Sequence, residues 1–150
     1  MSRQIPVTLT NMCMVYDGDK ILVQDRADPN WPGVIFPGGH VESGESFAAA
    51  VIREVYEETG LHIKNPRLCG IKEWENSDGS RYIVLLYKTN QYSGEIKSSD
   101  EGNVFWTTFG ALSTAKLSEH FLEVAEIFRR DDLSEFFYNR TNEGWEIQLL

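Results

Sequence analysis

Apolar and polar positions fall along this chain mostly in short extended stretches, interrupted twice by a helical period. Residues 5–16 are rich in Val, Thr, Ile and Met and predict a strand. Asp17-Gly18-Asp19 is a turn signal, and Ile21-Leu22-Val23-Gln24 resumes the extended pattern, giving a first hairpin. Residues 25–33 hold Pro29, Trp31, Pro32 and Gly33 and read as a surface loop. Val34-Ile35-Phe36 is a short buried strand stopped by Pro37-Gly38-Gly39. Residues 68–76 and 82–90 flank Ser77-Asp78-Gly79-Ser80 as a second hairpin. Two more short strands are expected at 94–97 and 104–106, around the acidic loop 98–102. Residues 136–150 close the chain as a hairpin turning at Asn142-Glu143-Gly144.

The first helical pattern begins near Ser46, a plausible N-cap, and places Ala48, Val51, Ile52 and Val55 on one apolar arc. Gly60 stands where a left-handed C-terminal residue belongs, and Asn65-Pro66 follows soon after. The second helix is expected over 117–130, with apolar residues at 117, 121, 124, 125 and 128. No internal repeat and no interdomain linker interrupts this order, so residues 1–150 predict one α+β domain, a sheet with helices packed on it.

Composition narrows the function classes. The chain is 41% hydrophobic and 25% charged, with no low-complexity tract. Its net charge of −9 argues against a nucleic-acid polymer as partner, which needs a basic footprint, but not against a small phosphorylated ligand held through cations. The longest apolar run, residues 82–87, is too short to span a bilayer, and residues 1–10 are too polar for a signal peptide, so no membrane partner is expected. Cys13 and Cys69 lie far apart in apolar contexts and read as free thiols in a reducing compartment, the cytoplasm.

The informative chemistry lies at the end of the first helix. Glu54, Glu57 and Glu58 stand at i, i+3 and i+4, positions that share a helix face. Three carboxylates there repel one another, and the helix macrodipole disfavours them near a C-terminus. A hard cation held by oxygen ligands relieves both costs. Other constellations fail: His40, His62 and His120 with the two cysteines have no zinc spacing, no calcium loop is present, and neither a P-loop nor a Gly-x-Ser-x-Gly elbow occurs.

The whole stretch runs Gly39, five residues, Glu45, seven residues, then Arg53-Glu54-Val55-Tyr56-Glu57-Glu58-Thr59-Gly60-Leu61. It resembles the signature of the Nudix hydrolases at every defining position, with Phe36-Pro37-Gly38 as lead-in. The resemblance is greatest to MutT-type nucleoside triphosphate pyrophosphohydrolases, including 8-oxo-dGTP diphosphatases. It implies an α/β/α sandwich around a mixed sheet and hydrolysis of a nucleoside diphosphate linked to a further moiety, with Mg²⁺, or Mn²⁺ in its place, as cofactor. The implied ligands are Gly39 through its carbonyl, Glu54, Glu57 and Glu58, with Glu54 alternatively the base. Glu101, before the strand at 104–106, is the expected acid from outside the box. Arg53 and Glu45 are expected as a structural pair that orients the box. Phe36, Trp31, Trp74 and Arg81 are the candidates for contact with the base, with Tyr82 and Trp106 as further aromatic faces. A homodimer is compatible with the family.

Two other readings remain. A nucleotide-sugar pyrophosphatase of the ADP-ribose kind is one, although no proline follows Pro66 where that subtype is expected to have one. The other is a nucleotide-sensing module without catalysis, which usually lacks box acids that are all present here.

Overall fold

Alternate residues of the first strand, β1 (Val7–Asp17), feed two separate cores. Met12 and Met14 face one side, Cys13 and Val15 the other, and residues 10–15 are buried without a break. A strand buried on both faces reads as a continuous run because both sides of its sheet are covered. The computed structural model describes residues 3–150.

The strands that follow are β2 (Lys20–Arg26) and β3 (Gly33–Ile35), then, after helix α1 (Phe47–Thr59), β4 (His62–Lys64), β5 (Arg67–Glu75) and β6 (Arg81–Thr89). β7 (Gln91–Ser93) and β8 (Gly102–Thr108) precede helix α2 (Phe121–Arg129), and β9 (Glu135–Thr141) with β10 (Gly144–Leu149) ends the chain. Seven strands line up as β10-β9-β5-β6-β1-β2-β3, and β8 joins through β2. The sheet is mixed: β1 runs parallel to β6 and β5 parallel to β9, while the other pairs are antiparallel. Helix α1 packs Val51 and Val55 onto the face with Cys13, Val15, Leu22, Leu85 and Tyr87. Helix α2 packs Phe121, Val124, Ile127 and Phe128 onto the face with Met12, Met14, Val84 and Leu86. The result is the α/β/α sandwich.

Local signals place α1 well. Ser46 Oγ accepts the Ala49 N–H at 3.0 Å, and Gly60 takes φ 80° while its N–H reaches the Tyr56 carbonyl at 2.9 Å.

Two stretches differ from expectation. No strand forms at 94–97; instead Lys97 donates its N–H to the Thr59 carbonyl at 2.7 Å, satisfying the free end of α1. The strand in that region is β7, paired with the equally short β4. Helix α2 begins at Phe121 rather than near 117, because Leu117 bridges Val34 and the Ser118 N–H bonds the Val34 carbonyl at 3.0 Å. His120 then turns through φ 62°, a left-handed conformation that separates this contact from the helix.

Candidate active site

Glu54 and Glu58 lie one turn apart on α1 and face the loop that joins β3 to the helix. The loop is stitched to β1: the Asn11 N–H bonds the Gly39 carbonyl at 2.8 Å, Asn11 Oδ1 accepts the Gly39 N–H at 3.0 Å, and the Cys13 N–H bonds the Pro37 carbonyl at 2.8 Å. Glycine is required twice here by close approach. A Cβ on Gly38 would stand 2.8 Å from both the Asn11 carbonyl carbon and Met12 Cα, and one on Gly39 would overlap the Glu54 carboxylate.

Glu58 is buried and accepts the Gly38 N–H at 3.1 Å. Its pKa is pushed up to about 7, first by burial and then by the charges of Glu54 and Glu101, against the Gly38 hydrogen bond and Arg26. Burial also raises Glu54, partly offset by Arg53. The two acids thus hold a proton more tightly than ordinary carboxylates, chiefly because they are buried.

Arg53 organises the outer side of the cluster. Its Nε and Nη2 reach the two oxygens of Glu45 at 3.1 and 2.7 Å, while Nη1 donates to Glu54 Oε1 at 2.9 Å and to Glu57 Oε2 at 3.2 Å. Nη2 also donates to the His40 carbonyl at 2.9 Å. This fork lowers the Glu45 pKa through its hydrogen bond. Glu57 is drawn outward by it: its side chain is 54% exposed and lines no part of the cleft below. It follows Arg53 by four residues and so sits directly over it.

The cleft has a volume of about 480 Å³, within the usual range for a small-ligand site. At one end it is lined by Gly38, Gly39, Glu54, Glu58 and Glu101, and at the other by Trp31, Lys72, Trp74 and Tyr82. Glu101 comes from the loop before β8, anchored where its carbonyl accepts the Ala27 N–H at 3.0 Å. Trp74 stacks on Tyr82 with ring centres 4.5 Å apart and planes 6° from parallel. Trp31 is 54% exposed over the cleft. Phe36 is 2% exposed and packs against Phe121 and Phe128, so it forms the floor and offers no open ring face. Arg81 does not line the cleft; it pairs with Glu73 at 2.7 Å and Glu75 at 3.4 Å and lines a separate cavity of about 300 Å³. Trp106 packs against Tyr92 and the α1-side core.

Asn11, Arg26 and Lys72 line the cleft without having been singled out in the sequence. Asn11 is a polar residue inside an apolar strand run, and that mismatch was the available signal. Among the described residues nothing partners the buried Asn11 Nδ2, a donor beside the glycine turn.

Among the described residues no three His, Cys, Asp or Glu side chains form a ready metal cage. The donor set nonetheless fits a hard cation in an open site. Glu54, Glu58 and Glu101 supply oxygens along one cleft wall, and the missing Cβ of Gly39 leaves the Glu54 carboxylate its room. Mg²⁺ in particular takes few carboxylates and completes its shell with waters and substrate oxygens.

Comparison with known proteins gives a consistent match. A family model described as NUDIX domain matches residues 8–130. An uncharacterized Nudix hydrolase of Bacillus subtilis is 35% identical over 99 residues, which are 63% of this chain and 61% of the relative. The chain therefore spans less than two thirds of that relative. A MutT protein of Bacillus halodurans superposes with a TM-score of 0.72 at 28% identity, covering 95% of this chain and 94% of that one. A bifunctional NMN adenylyltransferase/ADP ribose pyrophosphatase of Francisella tularensis, solved with AMP and a Mn ion, gives 0.62 at 25% identity, covering 85% of this chain and 42% of that one.

Proposed function

The chain belongs to the Nudix hydrolase family, its NUDIX domain covering residues 8–130, and from that premise we propose that it hydrolyses the phosphoanhydride of a nucleoside triphosphate, yielding monophosphate and pyrophosphate. The observation that carries this reading is the single cleft with acids Glu54, Glu58 and Glu101 at one end and aromatic faces at the other. Phosphates belong at the first, a nucleoside at the second.

Glu58 and Glu101 would hold the divalent cation, Mg²⁺ or Mn²⁺, with the Gly39 carbonyl as a further oxygen donor, and Glu54 takes its alternative role as the base. When bound, such an ion neutralises phosphate charge and lowers the pKa of water. The protein's own part is positioning. Arg53 bonds Glu54 Oε1 and leaves Oε2 to accept the proton of the attacking water. The water oxygen forms the new bond to phosphorus, the bridging P–O bond between the α- and β-phosphoryl groups breaks, and the departing product, pyrophosphate or nucleoside monophosphate, takes the electron pair. Glu57 acts through Arg53, as a positioning residue on the outer side. Trp31 and Trp74 give the base its stacking surface.

An oxidised purine such as 8-oxo-dGTP fits this reading, and the likeness to a MutT protein supports it. The likeness to the bifunctional NMN adenylyltransferase/ADP ribose pyrophosphatase of Francisella tularensis supports ADP-ribose as the second candidate substrate. A purely sensing role is disfavoured because every box acid is retained. The free state of Cys13 and Cys69 fits a reducing compartment, the cytoplasm.

The test is a panel of canonical and oxidised deoxynucleoside triphosphates and ADP-ribose, with Mg²⁺ and with EDTA, read by chromatography of products. Monophosphate and pyrophosphate from triphosphates, with Mg²⁺ alone, is the expected result. Cleavage of ADP-ribose only would move the assignment to the second substrate, and turnover surviving EDTA would remove the metal from it.

A further inference from the structure

The cleft continues past its aromatic end. A second cavity of about 400 Å³ shares Met12, Trp31, Ile35, Lys72 and Trp74 with the first and runs on to Tyr138 and Trp145. Lys72 is the charged residue at this junction. It sits in the interior of the sheet, paired with Val84 of β6 on one side and Phe136 of β9 on the other. Lysines that guard a sheet edge do not occupy such a position.

The Lys72 ammonium lies 5.6 Å from the centre of the Trp74 ring and 5.1 Å from that of Phe136. Among the described residues no carboxylate comes within 4.0 Å of it, and no acceptor takes a hydrogen bond from it. Burial holds its pKa below the ordinary lysine value, and the charge of Glu119 offsets this only in part. The aromatic faces compensate some of the lost hydration. The ammonium's three donors are left for a ligand.

Resting on the nucleotide reading above, we propose that Lys72 is a specificity-determining residue that donates a hydrogen bond to a keto oxygen on the edge of a base stacked at Trp31 and Trp74. An ammonium donates and never accepts, so a guanine or hypoxanthine edge with O6 and N7 acceptors pairs with it. Adenine presents an amino group at the position of O6, and that contact sets donor against donor. Keto purines are thereby selected over adenine. A site built around a buried hydrogen-bonding group rejects the ligand that leaves it unpaired.

The products themselves serve as probes. Binding of GMP, IMP and AMP is measured through tryptophan fluorescence in the wild-type protein, in Lys72→Met and in Lys72→Gln, with thermal melts alongside. The wild type should bind GMP and IMP about 10- to 100-fold more tightly than AMP, the range of a charged hydrogen bond made or lost. Lys72→Met, which keeps the apolar stem, should bring the three ligands within roughly threefold of one another. Lys72→Gln adds an acceptor and should improve AMP binding, so it carries the test if the methionine variant does not fold. Equal wild-type affinities, a preference for AMP, or no detectable binding would overturn the proposal. Uniform weakening of all three ligands by Lys72→Met would overturn it too, since that is the mark of a phosphate contact. Selective binding without hydrolysis would sink the hydrolase reading and leave this one standing; hydrolysis without selectivity would do the reverse.

Discussion

Two adjacent glycines should fail in opposite ways when given a methyl group. At Gly39 the added Cβ overlaps the Glu54 carboxylate, whose farthest atom from it stands at 2.6 Å. Ordinary contact is near ~3.5 Å, so the carboxylate has to retreat by about 1 Å. It is the free end of a flexible side chain, so the fold can absorb the shift. Its geometry against Arg53 and the cleft cannot. A displacement of that size at a reacting group costs on the order of 10²-fold in rate. At Gly38 the obstacles are the Asn11 carbonyl and Met12 Cα, backbone of a strand buried on both faces. Overpacking against such backbone costs about 3 kcal/mol, the upper part of the usual range. For a domain of this size that lowers the melting temperature by roughly 10 °C. Gly39→Ala should therefore melt within about 2 °C of the wild type while losing about 10²-fold in kcat. Gly38→Ala should melt early whatever its residual activity. Calorimetry and a pyrophosphate-release assay on both variants decide the matter. Full activity in Gly39→Ala would refute the assignment of Glu54, and a wild-type melt for Gly38→Ala would refute the packing of the loop on β1.

Glu58 makes a pH prediction. Its folded pKa is about 7 against an unfolded value near 4.5, so the folded state holds the proton more tightly. In EDTA, stability should fall as pH rises from about 4.5 to about 7, by on the order of 3 kcal/mol, and level off above. Glu58→Gln should abolish that slope in thermal melts, and a slope of opposite sign would contradict the burial argument. Arg53→Lys keeps the charge but cannot fork between Glu45, Glu54 and Glu57, so kcat should drop about 10²-fold with little change in KM. A wild-type kcat would show that the fork is decorative. Trp31→Ala, at a half-exposed ring, should leave the melt unchanged and raise KM several-fold in steady-state assays; an unchanged KM would take Trp31 out of the base surface.

Much of this was legible because it is local. Ser46 and Gly60 bracket α1 through caps that need no distant partner, and the hairpin of β5 and β6 is announced by Asp78-Gly79. The parallel pairing of β1 with β6, from Val7↔Arg81 to Val15↔Thr89, leaves no such mark, since it joins segments over seventy residues apart. The start of α2 was misplaced for the same reason. Leu117 has the right period for the helix, but Val34 claims it and Ser118 from another strand. At the site, helical spacing put Glu54, Glu57 and Glu58 on one face, and the competing partner was one residue away. Arg53 draws Glu57 outward and leaves two box acids in the cleft. Arg81 was a candidate by type alone, and Phe36 by its place ahead of the glycine pair, which does bring it to the cleft floor. Phe36 went to the core with Phe121 and Phe128, and Arg81 to Glu73, partners that only the sheet register brings together. Lys72 was hidden by the period of two, which does not say which face of β5 looks into a cavity.

The central claim is that Glu58, buried beside Gly38 and Gly39, holds the cation on which phosphoanhydride cleavage depends. Its most direct test is the rate of pyrophosphate release from dGTP as Mg²⁺ is raised, in the wild type and in Glu58→Gln, which keeps the shape and removes the charge. The wild type should saturate with Mg²⁺ and stop with EDTA, while the variant should stay at least about 10²-fold slower at every Mg²⁺ concentration. Equal rates at saturating Mg²⁺ would contradict the account.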